Sequence, residues 1–232
     1  MKILCLIPAR SGSKGIPNKN IKNFNGKPLI SWSIEQAKQC KYYNKMRIIV
    51  STDSEEYAKI SKEYGAEVPF LRPPEISQDE SIDYEFIVHA LNWLEVNENY
   101  IPNIILQLRP TQPCRKVEDI NNCLDIFINN RNEYDSLRTV IPIEKCPQKM
   151  YIIENNGLIP YFKSYGDIKE PYNQCRQVLP ISYLHNGYID ILNSDIVKRG
   201  TISGDKIYAY IMHKNDTIDI DTNEDWKKAE NI

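Results

Sequence analysis

Ile3 to Ile7 is an unbroken apolar run closed by Pro8, the pattern of a strand buried on both faces of a parallel sheet, and it is read as a central strand. Residues 9–28 mix glycine, proline, lysine and an arginine and are read as a long basic loop. An amphipathic helix is then predicted from about Leu29 to Gln39. Arg47-Ile-Ile-Val-Ser-Thr reads as a strand, Ser54 to Tyr64 as a helix capped by Asp53 or Ser54, and Val68 as the middle of a short strand. The alternation continues with a helix from about Ser81 to Val96, a strand at Asn103 to Leu108 and a helix from about Val117 to Ile128. That rhythm predicts an α/β chain, a Rossmann-like three-layer sandwich around a mostly parallel central sheet.

After Asp135 the rhythm changes. Leu137 to Ile143 and Lys149 to Ile153 read as β segments, and Asn155-Asn-Gly is a turn signal. The region 144–180 is rich in Pro, Tyr and Lys. Five aromatics (Tyr151, Tyr161, Phe162, Tyr165, Tyr172) argue that it packs on another surface. Tyr188 to Leu192 and Lys206 to Met212 are strand candidates, and Asn223 to Glu230 is read as a closing helix. The expectation is one domain, residues 1–232, with an inserted dimerisation segment at about 144–180.

At 232 residues with 41% apolar content, the chain is long enough to bury a sizeable core but not to build a second full domain. Its 29 basic and 31 acidic side chains nearly cancel, so no global charge draws it to nucleic acid or an anionic membrane. No apolar run approaches the ~20 residues of a membrane span, and the opening segment is too short for a signal peptide, so a cytoplasmic protein is expected. The six cysteines form no C-x-x-C pair and have no histidines at zinc-ligand spacing, which points away from structural zinc and a disulfide framework. Three histidines leave little material for a Ser-His-Asp hydrolase.

Any anion must therefore be captured locally, and Pro8-Ala-Arg-Ser-Gly-Ser-Lys-Gly-Ile-Pro-Asn-Lys-Asn is built to do so. Gly12 and Gly15 let the backbone turn and offer N–H groups to phosphate oxygens, while Arg10, Lys14 and Lys19 add charge at the end of the first strand. It matches neither the Walker pattern nor G-x-G-x-x-G. Asp219 and Asp221 form a second candidate: in extended backbone they share a face and can hold one hard divalent cation, with Asp225 a helical turn further on. The alternative is an N-cap cluster in which Asp221 or Thr222 caps the last helix.

This loop resembles the signature of the acylneuraminate cytidylyltransferases, a branch of the nucleotidyltransferases related to the CMP-Kdo synthetases. The resemblance spans nearly the whole chain. It includes Ser51-Thr-Asp, Leu71-Arg-Pro, Arg109-Pro-Thr-Gln-Pro-Cys-Arg, Arg176-Gln-Val-Leu-Pro, Asn186-Gly and Asp219-Ile-Asp-Thr, in the family's order. It implies that Ala9, Arg10, Ser11, Gly12, Ser13, Lys14, Lys19, Asn20 and Arg72 meet the nucleotide, with Arg72 facing the base. It implies that Arg109, Thr111, Lys149, Arg176 and Asn186 meet an acidic sugar, and that Asp219 and Asp221 bind Mg²⁺. Arg10, Lys14, Lys19 and Asp221 would carry the catalysis.

Two departures stand out. Arg109 replaces a Gln that related enzymes turn toward the sugar, and a guanidinium there favours a carboxylate or phosphate. His185 stands near the place of missing sugar contacts and is either a substitute partner or structural. Asp53 is read as a cap or loop support, and Arg115 as lying, like Arg109, at the ligand edge of its strand. The implied activity joins CTP to a nine-carbon 2-keto-3-deoxy sugar acid and releases pyrophosphate, in a homodimer. An eight-carbon Kdo or a phosphonate acceptor are alternatives, as is a regulatory subunit that lost turnover, against which the intact loop and aspartates speak.

Overall fold

A computed structural model describes residues 1–213 and 217–231. Six strands form its sheet: β1 (Ile3–Pro8), β2 (Met46–Ser51), β3 (Ile104–Gln107), β4 (Ser136–Ile143), β5 (Ser182–Asn193) and β6 (Ile207–Ile211). Their spatial order is β6-β4-β5-β3-β1-β2. β1 pairs in parallel with β2 and β3, β6 is parallel to β4, and β5 runs antiparallel to both its neighbours. The helices are α1 (Leu29–Gln39), α2 (Glu55–Glu63), α3 (Asp83–Glu98), α4 (Val117–Asn130) and α5 (Asn223–Ala229). The mostly parallel three-layer α/β sandwich read from the sequence is the observed fold.

The layers follow from the two-residue period of a strand. Ile3, Cys5 and Ile7 of β1 pack with α1, α2 and α4, while Leu4 and Leu6 pack with Phe86, Ile87, Ala90 and Leu94 of α3. All five are fully buried, as a run apolar on both faces requires. β1 is interior but lies one place from the β2 edge rather than at the sheet's centre. The strand expected around Val68 reduces to a single bridge between Ile49 and Glu67.

β5 is much longer than its predicted core. Its 12 residues include a register shift between His185 and Asp190, where Gly187 takes a φ of +64°, and its first half pairs with β4 as the chain returns from the 144–180 excursion. In that excursion Tyr151–Glu154 pairs with Gly157–Pro160 across Asn155 and Asn156, both at positive φ, the geometry an Asn-Gly hairpin signal calls for. The predicted strand start at Lys149 is instead the end of the 3-10 turn Pro147–Lys149. A small third core (Ile16, Phe24, Leu29, Ile220, Trp226, Ala229) fastens α5 beneath the basic loop.

Candidate active site

β1 is followed through α1 by β2 on one side, whereas the chain reaches β3 on β1's other side, so a crevice opens beyond the C-terminal ends of β1 and β3. A cavity of about 550 Å³ lies there, bounded by the basic loop, Arg72, Asp79, the start of α3, Arg109, Thr111 and Asp221.

The loop is held from beneath. Asp53 accepts hydrogen bonds from Ser11 N (2.8 Å) and Ser11 Oγ (2.7 Å), and the buried Asn20 donates from Nδ2 to the Arg10 carbonyl at 3.1 Å. Asp53 is thus a loop support, while Ser54 caps α2 by accepting from Tyr57 N. Two expected nucleotide contacts are turned away from the cavity. Ala9 is buried with its N–H donated to the Ser51 carbonyl, and both Ser11 donors are committed to Asp53. Gly12 is not among the lining residues, whereas Ser13, Lys14, Lys19, Asn20 and Arg10 are.

Gly15, also on the lining, answers a steric demand: a Cβ on it would stand 2.5 Å from the Asp221 carbonyl oxygen. Lys19 crosses the same junction, donating to the Ile220 carbonyl (2.7 Å) and pairing with Asp221 (2.9 Å). Arg10 pairs with Asp79 at 2.6 Å, and Lys14 pairs with the other oxygen of the same carboxylate. Those two cations, Lys14 first, hold Asp79 below the ordinary carboxylate range. Asp79 was not among the predicted residues. Its place in a polar, proline-flanked segment gives no pattern, and only tertiary folding sets it opposite the loop.

Arg72 is buried, donating from Nε to Ser51 Oγ (3.0 Å) and from Nη2 to the Ser51 carbonyl (2.6 Å), with its guanidinium 4.8 Å from the Phe86 ring centre. Burial lowers its pKa to about 10, which still leaves it charged at neutral pH. Phe86 and Arg72 together form an aromatic and cationic wall, and Phe86 is a lining residue the sequence did not single out.

Arg109 differs from expectation. Its Nη1 donates to Asp190 at 2.6 Å and its Nη2 to Asp83, so the guanidinium that was to receive an acceptor's anion already lies between two carboxylates. Arg115 turns inward, reaching the Tyr188 carbonyl (2.6 Å), Gln36 Oε1 (2.8 Å) and the Arg109 carbonyl (2.9 Å), a buried strut for the turn rather than a ligand group. Asn186 is likewise structural here. Its Oδ1 accepts from Thr139 Oγ1 at 2.6 Å and its backbone carbonyl from Gln112 Nε2, which builds the β5 bulge and leaves the residue off the cavity wall. His185 Nε2 lies 2.7 Å from Asp190 Oδ1, within the same packing. Lys149 and Arg176 face a separate hollow of about 380 Å³ with Lys145 and Cys146, in the excursion.

Residues 217–221 do not form a strand, so the shared face expected of Asp219 and Asp221 does not come from β geometry. The two carboxylates nonetheless feel one another. Crowding by protein raises the Asp219 pKa, a hydrogen bond from Thr111 opposes the rise, and Asp221 adds to it. Asp225 is excluded from the pair, because it forms a capping box with Thr222 at the start of α5. Among the described residues no group of three His, Cys, Asp or Glu could enclose a metal. Two neighbouring carboxylates of which one is unfavourably charged do suit Mg²⁺, which binds through one or two carboxylates and takes its other ligands from water and substrate phosphates.

A family model described as Cytidylyltransferase matches residues 4–219, and the chain belongs to that family. It is 33% identical over 227 residues to the N-acylneuraminate cytidylyltransferase of Streptococcus agalactiae, covering 97% of this chain and 52% of that protein, so it spans about half the length of that relative. It is 31% identical to the CMP-N,N'-diacetyllegionaminic acid synthase of Legionella pneumophila, with 100% and 96% of the two chains covered. The solved structure of CMP:2-keto-3-deoxy-manno-octonic acid synthetase complexed with CTP superposes with a TM-score of 0.70 at 16% identity over 100% of this chain and 98% of the other, a likeness of fold.

Proposed function

We propose that the chain activates a nine-carbon 2-keto-3-deoxy sugar acid with CTP, giving the CMP-sugar and pyrophosphate. The observation that carries this reading is the cation cradle of Arg10, Lys14 and Lys19 around one cavity at the C-terminal end of β1, with Lys19 paired to Asp221 on the same wall. The anomeric hydroxyl of the acid attacks the α-phosphorus and gives up its proton to solvent, the bond to the bridging oxygen breaks, and pyrophosphate leaves with the electron pair. Lys19 sits where it can neutralise α-phosphate charge, and Arg10 and Lys14 take the leaving group, because fixed cations aimed at developing charge lower the barrier most. Arg72 and Phe86 offer the wall for the base. Mg²⁺, held by Asp219 and Asp221, would act as a Lewis acid on the phosphate oxygens. The relatives named for sialic and legionaminic acids support a nine-carbon acceptor.

We place the reaction in a cytoplasmic homodimer. No helix of the described residues is long and apolar enough to cross a membrane. The excursion exposes Tyr161 (63%), Ile153 (74%) and Leu158 (66%), an apolar surface that a second copy would cover while bringing Lys149 and Arg176 toward a sugar site. Pyrophosphate release from CTP and Mg²⁺ tests the activity across N-acetylneuraminate, legionaminate, pseudaminate, Kdo and aminoethylphosphonate. Turnover confined to the nine-carbon acids is expected, and release with none of them overturns the reading.

A further inference from the structure

Two carboxylates brace the site from outside it. Asp53 supports the basic loop from beneath and Asp190 holds Arg109 from the sheet, and neither lies on the cavity wall. Asp79 differs. It lines the cavity together with Arg10 and Lys14 and gives one carboxylate oxygen to each of them, so its negative charge faces the space that a ligand's anion would fill.

The segment that carries Asp79 is a self-contained turn. Gln78 N donates to Ser81 Oγ (2.9 Å) and Ser81 N to the Gln78 carbonyl (3.2 Å), while Ser77 Oγ and Gln78 Nε2 reach back to the Pro73 and Pro74 carbonyls. Ile82 N donates to Glu85 of α3. Among the described residues these bonds all close within the turn and the start of α3, so the Asp79 carboxylate is what ties the turn across to the basic loop. That tie is of a kind that gives way. Residues 78–80 are exposed, the Lys14 side chain is 81% open to solvent, and ion pairs so placed hold weakly in water.

Charge favours the exchange. A carboxylate offers the two cations one negative charge, whereas a phosphate group brings about two and three acceptor oxygens. Asp79 meets Arg10 through Nη1 alone at 2.6 Å, and a phosphate can engage the guanidinium fork with two oxygens.

We propose that Asp79 is an internal stand-in for phosphate: in the free protein its carboxylate holds Arg10 and Lys14, and an incoming pyrophosphate group displaces it and releases the 78–81 turn from the basic loop. This rests on the cation cradle of the function proposed above. It makes the affinity of that cradle for an anion what is left after an internal competitor has been removed.

The test titrates inorganic pyrophosphate into wild type, Asp79→Asn and Glu80→Gln by calorimetry, in EDTA so that no divalent cation bridges carboxylate and anion. Asp79→Asn keeps the side chain's shape and should bind pyrophosphate about three- to tenfold more tightly. Glu80→Gln removes the same charge one residue away and should stay within about twofold of wild type. An Asn variant that binds no tighter overturns the inference, because the carboxylate then organises the cations instead of competing for them. Equal tightening in both variants also overturns it, since only the general field would have changed. Wild type supplies a reading that depends on no variant's folding: hydrogen exchange at the 78–81 amides should quicken at saturating pyrophosphate, and exchange that slows or stays the same overturns the displacement. A wild type that binds no pyrophosphate at millimolar concentration overturns the cradle assignment and this inference with it. The acid panel above, and not this titration, decides the activity.

Discussion

The α/β body and the 144–180 excursion solve the problem of apolar surface in opposite ways. In the body, each face of β1 meets its own helical layer and the strand's apolar side chains are fully buried. In the excursion, of the large apolar side chains only Leu179 is deeply buried, while Tyr151, Ile153, Leu158, Tyr161, Phe162 and Tyr165 stand open. β5 shows the contrast within one strand: Ile181, Tyr183 and Leu184, at or just before its start, are exposed, and from Gly187 onward it is buried. The body makes its own core, and the excursion has the composition of an interface in want of a second surface.

Cutting into each region should separate them most sharply. Phe127→Ala, in the α4 core, should cost about 3–5 kcal/mol of folding stability, whereas Phe162→Ala should leave the unfolding of dilute, monomeric chain within about 0.5 kcal/mol of wild type. Urea denaturation of both variants reads the difference, and equal losses would erase the distinction. Next in size, Lys19→Ala should lower turnover on the order of 10²-fold, about 2.7 kcal/mol, with an unchanged melt, because chemistry belongs to the body. Near-normal pyrophosphate release from that variant sinks the cradle assignment.

Acid should loosen the body where β5 meets β3 and β4. Burial works to raise the Asp190 pKa, but His185, Arg109 and Arg138 outweigh it and bring it down to about 2. A depressed folded pKa means stability that is full above the unfolded value of about 3.9 and lost as pH falls from there through 2, about 2.6 kcal/mol in all. Melts between pH 5 and 2 should show that slope, and Asp190→Asn should flatten it. Smallest, deleting residues 155–172 should weaken dimerisation and raise the KM for the sugar about tenfold, with that for CTP nearly unmoved. A chain that sediments as a monomer at micromolar concentration with full activity contradicts the proposed role of the excursion.

The body was legible because its signals are periodic and local. α1 has the bounds its pattern predicts, and the unbroken apolar run of β1 declares burial on both faces. The basic loop was legible as chemistry because its charges and glycines are consecutive. What escaped depends on partners far apart in the chain. Nothing beside Arg109 reveals that Asp83 and Asp190 will enclose it, at separations of 26 and 81 residues. Asn186 was expected to be a ligand because it matches a family position, but a bulge had prior use for its oxygen. Val68 kept strand composition without a strand, since Glu67 offers only one bridge to β2.

The junction of Gly15, Lys19 and Asp221 has a consequence for how the chain comes to life. The contact between Lys19 and Asp221 spans 202 residues, so it is among the most non-local contacts the fold makes, and such contacts form late. During synthesis the N-terminal strands and helices can gather first, with the phosphate loop already made but lacking its far wall. Only when Ile220 and Trp226 emerge and close the small core over Ile16 and Phe24 is Lys19 drawn against Asp221. A nascent chain stopped short of residue 219 would hold a nearly complete sheet and an unfinished wall to the cavity, until Ile220, Asp221 and Trp226 had been delivered.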